Sequence, residues 1–311
     1  LAIAGPLIAP HGALESDFVH GVSPMRTPVG PSRLFWLGAD RMYRDQFARL
    51  AAGAGFSLVT AVSATALATV LGALVGLTAG WFEGPEGVRT PWTVLLGAFG
   101  AIACAVTGHP RLAWVAVTLG LLGAIGAATS EGWLRMGPRT NIDALLMGVV
   151  DVVLAFPFIL LVMALAAAAE RTTPATVVVV LGLSGWLRIA RVVRTKTMQI
   201  RALDFILAAR ALGRSTAGIL LRHVLPNVAG LLLSVATVSI AQMILAESVL
   251  GYLGVGVPPP QPTWGRMLVD GQDLLLSAPW MVAAPASAIV VAMLGFHLLG
   301  EGLREAFDPR A

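Results

Sequence analysis

The chain has 311 residues, of which 57% are hydrophobic and only 12% charged, with a mean hydropathy of +0.81. Such a composition excludes both a soluble globular domain and a disordered chain, and identifies an integral membrane protein. The formal charge of +4 does not demand a nucleic acid, because the basic residues gather in one segment between apolar runs, where positive-inside topology accounts for them.

A spanning helix needs about 20 apolar residues, whereas barrel strands alternate over about 10, so the long uninterrupted runs predict an all-α fold. The opening LAIAGPLIAP, residues 1–10, is too short to span and reads as the outer end of a partial first transmembrane helix. A signal peptide is disfavoured, since no basic stretch precedes it and no small-residue cleavage site follows. Residues 11–55 are polar and Pro-containing and are expected outside. The next span, 56–81, carries Gly72, Gly76 and Gly80 one helical turn apart. That spacing either admits a closely packed second helix or reflects an Ala/Gly-rich composition.

Apolar runs at 92–106 and 112–128 flank a Gly- and Pro-containing turn, predicting an inserted two-helix hairpin over 92–128. Further spans are expected over 142–169, kinked at Pro157, and over 175–187, 228–250 and 281–303. The transmembrane domain then covers 56–303, with a tail at 304–311. The lone cysteine, Cys104, falls inside an apolar run, which excludes an intrachain disulfide or thiolate cluster.

Arg188, Arg191, Arg194, Lys196, Arg201, Arg210, Arg214 and Arg222 are opposed only by Asp204, so the segment 188–227 is assigned to the cytoplasm. The tail then lies inside as well, and the segments 11–50 and 252–279 lie outside. Arg26, Arg33, Arg41, Arg44 and Arg49 run against this assignment, although Glu15, Asp17, Asp40 and Asp45 accompany them. Within the basic segment, Phe205, Ala208, Ala209 and Leu212 recur at helical spacing, Gly213 interrupts, and Ala217, Leu220 and Leu221 resume before Pro226. Two short helices joined at Gly213 are expected, the second stopped by Pro226. Small Ala side chains would let a partner's surface come close while neighbouring Arg residues pair with its acidic groups. A basic helix lying on anionic lipid is the plainer alternative.

The sequences AARALG and LLRHVLPN in this loop resemble the EAA loop of ABC importer permeases, in the branch serving dipeptide, oligopeptide, nickel and glutathione systems. WLGADRMYRDQFARLAAGAGFSL, DVVLAFPFILL, AESVLGYLGVGVPPPQPTWGRMLVDGQDLLLSAPW and LLGEGLREAFDPR are similar to further family segments, in the family's order and in the C-type dipeptide/oligopeptide pattern. By length there are about seven spans plus the partial first one, which without the inserted hairpin leaves a permease core of about six; the resemblance implies a bacterial or archaeal plasma membrane. It implies that residues 204–213 form a coupling helix entering a cleft on a cytoplasmic ATPase. Asp204, Phe205, Leu207, Ala208, Ala209, Arg210, Gly213, His223, Pro226 and Asn227 then form the docking set. Implied partners are a second related permease, two ABC ATPase subunits or domains that hold ATP and Mg, and an external solute-binding protein. The implied activity is ATP-driven import of di- or oligopeptides, or a related small solute, by alternating access.

Three departures from the family pattern stand out. Leu207 replaces the usual EAA glutamate, Tyr43 replaces a glycine so that a tight turn there should be altered, and the hairpin 92–128 has no counterpart. An ionised carboxylate at the centre of a span costs roughly 2.5 to 3.5 kcal/mol on insertion scales, so Asp151 and Glu247 each need a partner or water. For both, a translocation-path role and a structural role stay open. Trp264, in the Pro-rich outer loop, either lines the external mouth or packs. No Gly-rich phosphate loop precedes the only lysine, Lys196, and no catalytic or metal motif is present, so neither enzymatic activity nor a bound cofactor is expected of this chain. The alternative functions are an ion-coupled secondary carrier using Asp151 and Glu247, or a non-transporting membrane scaffold.

Overall fold

Asp45 starts the first long helix. Its Oδ1 accepts the backbone N–H groups of Phe47 and Ala48 at 2.8 and 3.3 Å, donors that a helix N-terminus otherwise leaves open. In the computed structural model, which describes residues 2, 4–83, 88–89, 139–140, 142–169 and 172–307, helix α1 is a single turn, Gly5–Ile8. The capped helix α2 is Gln46–Phe82. It therefore begins well before residue 56, because Asp45 supplies a start signal that hydropathy does not register. Strands β1 (Val88–Arg89) and β2 (Arg139–Thr140) pair antiparallel. The hairpin expected over 92–128 lies outside the described residues.

The single kinked span expected over 142–169 is two helices, α3 (Ile142–Leu154) and α4 (Phe158–Ala168). Pro157 caps α4; without an N–H, and with its ring against the preceding turn, it ends one helix and opens the next. Helix α5 (Pro174–Arg201) starts where Thr173 Oγ1 accepts the Thr176 N–H at 3.1 Å. It does not stop at Leu187. Ile189, Ala190, Val193, Thr197 and Ile200 continue a buried face at helical spacing, so the arginines from Arg188 to Arg201 belong to a helix and the loop begins at Ala202.

Helices α6 (Asp204–Ala211) and α7 (Thr216–Ile219) follow, then a π-helical turn over Leu220–Val224 and helix α8 (Leu225–Tyr252). Pro226 does not end the second short helix. It sits in the first turn of α8, where its missing N–H is least felt, and the wider π turn precedes it. Helices α9 (Trp264–Gln272) and α10 (Trp280–Phe307) complete the chain.

Among the described residues four helices are long and apolar enough to cross a membrane, within 46–82, 174–201, 216–252 and 280–306, and α3 with α4 would make a broken fifth. The chain divides into two compact units, Leu1–Leu77 with Val152–Ala311, and Thr78–Asp151. The first unit has its core between α2, α4, α5, α8, α9 and α10, around Leu50, Ala61, Val162, Leu181, Met243, Ile244, Leu250 and Met267. Gly72 and Gly76 matter here. A Cβ on either would press into Ile189 and the Trp186 carbonyl, or into Val193 and the Ala190 carbonyl, so their absence of side chains sets how closely α2 lies on α5.

Candidate functional site

Helix α6 has two faces. Ile206 and Ala209 point inward and are buried, whereas Asp204, Phe205, Leu207, Ala208 and Arg210 are exposed, together with Leu212 at 86%. Of the expected docking residues Ala209 thus positions the helix and does not offer a contact surface. The end of α6 is a Schellman turn: Arg214 N–H donates to the Ala209 carbonyl at 3.2 Å and Gly213 N–H to the Arg210 carbonyl at 2.9 Å. That turn requires a left-handed residue, and Gly213 supplies it with φ +74°. Ser215 then caps α7 by accepting the Gly218 N–H at 3.3 Å. The two short helices are joined as the spacing suggested.

His223 lies in the π turn with its ring tilted against Phe205 at 6.3 Å, fastening α6 to the start of α8. Asn227 donates from Nδ2 to the His223 carbonyl at 2.7 Å, one turn back across Pro226. The exposed apolar strip Leu203, Phe205, Leu207 and Leu212 is therefore held on a braced helix with Asp204 and Arg210 beside it. Where the family carries a glutamate, Leu207 adds apolar area at 52% exposure.

The segment 11–50 is tied to α9 and α10 by buried polar contacts. Asp40 accepts the backbone N–H groups of Met42 and Arg44 at 2.8 and 2.9 Å, Arg44 Nε at 2.8 Å, and Arg49 Nη1. Arg49 also reaches Asp270 Oδ2 at 3.2 Å, and Arg266 Nε lies 3.5 Å from Asp270 Oδ1. Arg44 and Arg49 are thus largely neutralised within the chain and contribute little to the topological charge balance that they seemed to oppose. Trp280 Nε1 donates to the Ala39 carbonyl at 3.1 Å and Gln46 Nε2 to the Met281 carbonyl at 3.1 Å. Further out, the backbone N–H groups of His20 and Val19 donate to Asp17, each at 2.9 Å, and hold its carboxyl down at about 2. Tyr43 adopts φ +59°. A tyrosine thus occupies the left-handed region at the position where a glycine was expected.

Inside the spans the carboxylates separate. Glu247 on α8 is 3% exposed beside Ser57, and its Oε2, like the Ser57 and Ser248 hydroxyls, is buried without a hydrogen-bond partner. It faces the interior of the first unit and not an open groove. Asp151 is exposed on α3. Trp264 is 2% exposed and donates from Nε1 to the Leu50 carbonyl at 3.2 Å, which gives it a packing role.

Two residues that sequence reasoning missed stand in a groove between α5, α8 and α10. Arg188 is exposed at the middle of α5, with Nη1 3.5 Å from Gln242 Oε1 on α8. Both residues, with Ser239, line a cavity of about 430 Å³ that extends to His297, Glu301 and Arg304, and a smaller one of about 50 Å³ reaching Leu154, Phe156 and Phe158 at the break between α3 and α4. The signal was present: a helical period of buried residues runs through Arg188, but a basic run reads as a loop.

The family described as binding-protein-dependent transport system inner membrane component matches residues 116–311. The oligopeptide transport system permease protein OppC of Bacillus subtilis is 28% identical over 310 residues, spanning 100% of this chain and 81% of the relative. The dipeptide transport system permease protein DppC of Alkalihalophilus pseudofirmus is 30% identical over 314 residues, with the same coverage of 100% and 81%. A chain of the MetNI methionine ABC transporter, solved in an inward-facing conformation, superposes with a TM-score of 0.48 at 17% identity, over 81% of this chain and 94% of that one.

Proposed function

This chain belongs to the family of binding-protein-dependent transport system inner membrane components, and from that premise we propose that it is the permease subunit of an ATP-driven importer of dipeptides or oligopeptides. The peptide assignment rests on the names of the OppC and DppC relatives. A second related permease shares the pore, two ATPase subunits or domains carry ATP and Mg, and an external binding protein delivers the solute, in a bacterial or archaeal plasma membrane. The observation that carries the coupling role is the exposed apolar strip of α6, braced by the Gly213 turn and by the Phe205–His223 contact.

In this mechanism the strip Phe205, Leu207, Ala208 and Leu212 seats in a cleft of the ATPase, with Asp204 and Arg210 pairing at its rim. Closure of the ATPase dimer on ATP displaces α6, and the displacement passes through the His223 turn into α8 and through the Ala202 turn into α5. ATP can drive this only if the ATPase holds α6 differently in its open and closed states. With a leucine in place of the usual glutamate, docking relies on shape and apolar burial more than on ion pairing. The test is site-specific photocrosslinking in the intact native membrane. A crosslinker at Leu207 is expected to capture an ATPase subunit, whereas one at buried Ile206 gives only intrachain products. Capture of lipid alone at Leu207 would favour a membrane-surface helix and refute the coupling role.

A further inference from the structure

A guanidinium in the hydrocarbon layer has to face water or a partner, because exposure to lipid at that depth is costly. Arg188 borders this layer, as the first basic residue after the apolar part of α5. It stands about 20 Å from either end of α5, and its partner Gln242 lies about 15 Å along α8 from the outer end, at 1.5 Å rise per residue. The apolar part of α5 runs from Pro174 to Leu187, so Arg188 stands at its inner end, where the basic run to Arg201 begins. The helix break at Pro157 borders the same space through Leu154, Phe156 and Phe158, and irregular backbone at membrane depth is tolerated only inside protein or along a water-filled cavity. Two independent features, a cation at the end of the apolar stretch and an interrupted helix, thus converge on the smaller cavity.

We propose that Arg188, with Gln242 and Ser239, forms a solute site that takes a carboxylate in transit, which for the importer proposed above is the C-terminal carboxylate of a peptide. This assignment rests on that reading of the function. The only side-chain hydrogen bond that Arg188 makes among the described residues is the 3.5 Å one to Gln242, which leaves most of its donor fork directed at the cavity. A planar fork matches a carboxylate bidentately, and water exclusion around it strengthens the pairing. Gln242 holds the fork by its carbonyl and offers its own N–H groups to the same anion. The larger cavity continues from this point toward His297, Glu301 and Arg304 near the inner end of α10.

The test uses the assembled importer, co-purified with its partner subunits and reconstituted in vesicles, carrying Gln242→Cys in a Cys104→Ser background. Labelling rates are compared for an anionic sulfonatoethyl and a cationic trimethylammonium-ethyl methanethiosulfonate. The anionic reagent is expected to react about tenfold faster, and Arg188→Gln to abolish that preference. Trialanine is expected to slow labelling, whereas its C-terminal amide does not. A thiol inert to both reagents in the assembled complex, or one labelled equally by both, overturns the proposal, and so does failure of Arg188→Gln to assemble with the second permease, which would make Arg188 a subunit contact. A charge preference that persists with no protection by trialanine, and no wild-type uptake of it, supports the carboxylate site and refutes the peptide assignment instead.

Discussion

Replacing Gly213 separates backbone conformation from side-chain bulk, because a Cβ at this position meets nothing within 4 Å while φ is +74°. An L-residue in the left-handed region costs about 1–2 kcal/mol, less for Asn and more for β-branched Val. A penalty of that size lowers the population of this turn by roughly 5- to 30-fold relative to alternatives. What is lost is the Schellman pair, Gly213 to Arg210 and Arg214 to Ala209, and with it the angle at which α6 is presented. In proteoliposomes containing the assembled importer, solute uptake per ATP hydrolysed should fall in the order Gly, Asn, Ala, Val. In the purified chain Gly213→Leu should lower stability as Gly213→Ala does, since within the chain the space is open and φ decides. If Leu proves far worse than Ala there, the effect is steric and the backbone argument is wrong; if all variants match wild type in uptake, α6 does not transmit the motion.

Arg49→Ala should destabilise the purified protein by about 1.5–3 kcal/mol, read as a fall in thermal midpoint, because it removes one charged hydrogen bond to Asp40, buried at 1% exposure, while Arg44 keeps the other. Arg41→Ala, which removes only an exposed pair at 3.6 Å to Asp273, should change stability by less than about 1 kcal/mol. At position 43 Tyr→Gly should be more stable than Tyr→Ala by about 1 kcal/mol: both lose the Phe18 contact, but only glycine relieves φ +59°. The opposite order in thermal unfolding would show that the turn is not left-handed in solution. Glu247→Gln should retain ATP-driven uptake, as befits a carboxylate enclosed beside Ser57; abolished uptake with intact assembly would make it an ion-coupling group.

Hydropathy alone determined that this is an all-helical membrane chain, because the bilayer imposes its length and polarity rule on each span separately, whatever that span packs against. The Gly213 joint was legible for a similar reason: a left-handed residue at a helix end is a local demand that one residue type meets. Tertiary structure decided the rest. Tyr43 occupies the left-handed region because Asp40 gathers two backbone N–H groups and two arginines around it. Trp264 is a packing residue because its indole finds the Leu50 carbonyl on a helix remote in sequence. Arg188 reads as loop when its charge is weighed alone, since topology rules count arginines without asking which face of a continuing helix bears them. Its surroundings are set by Gln242 on α8, by the helix break at Pro157 and by the groove to α10, a juxtaposition that no local pattern in the chain encodes.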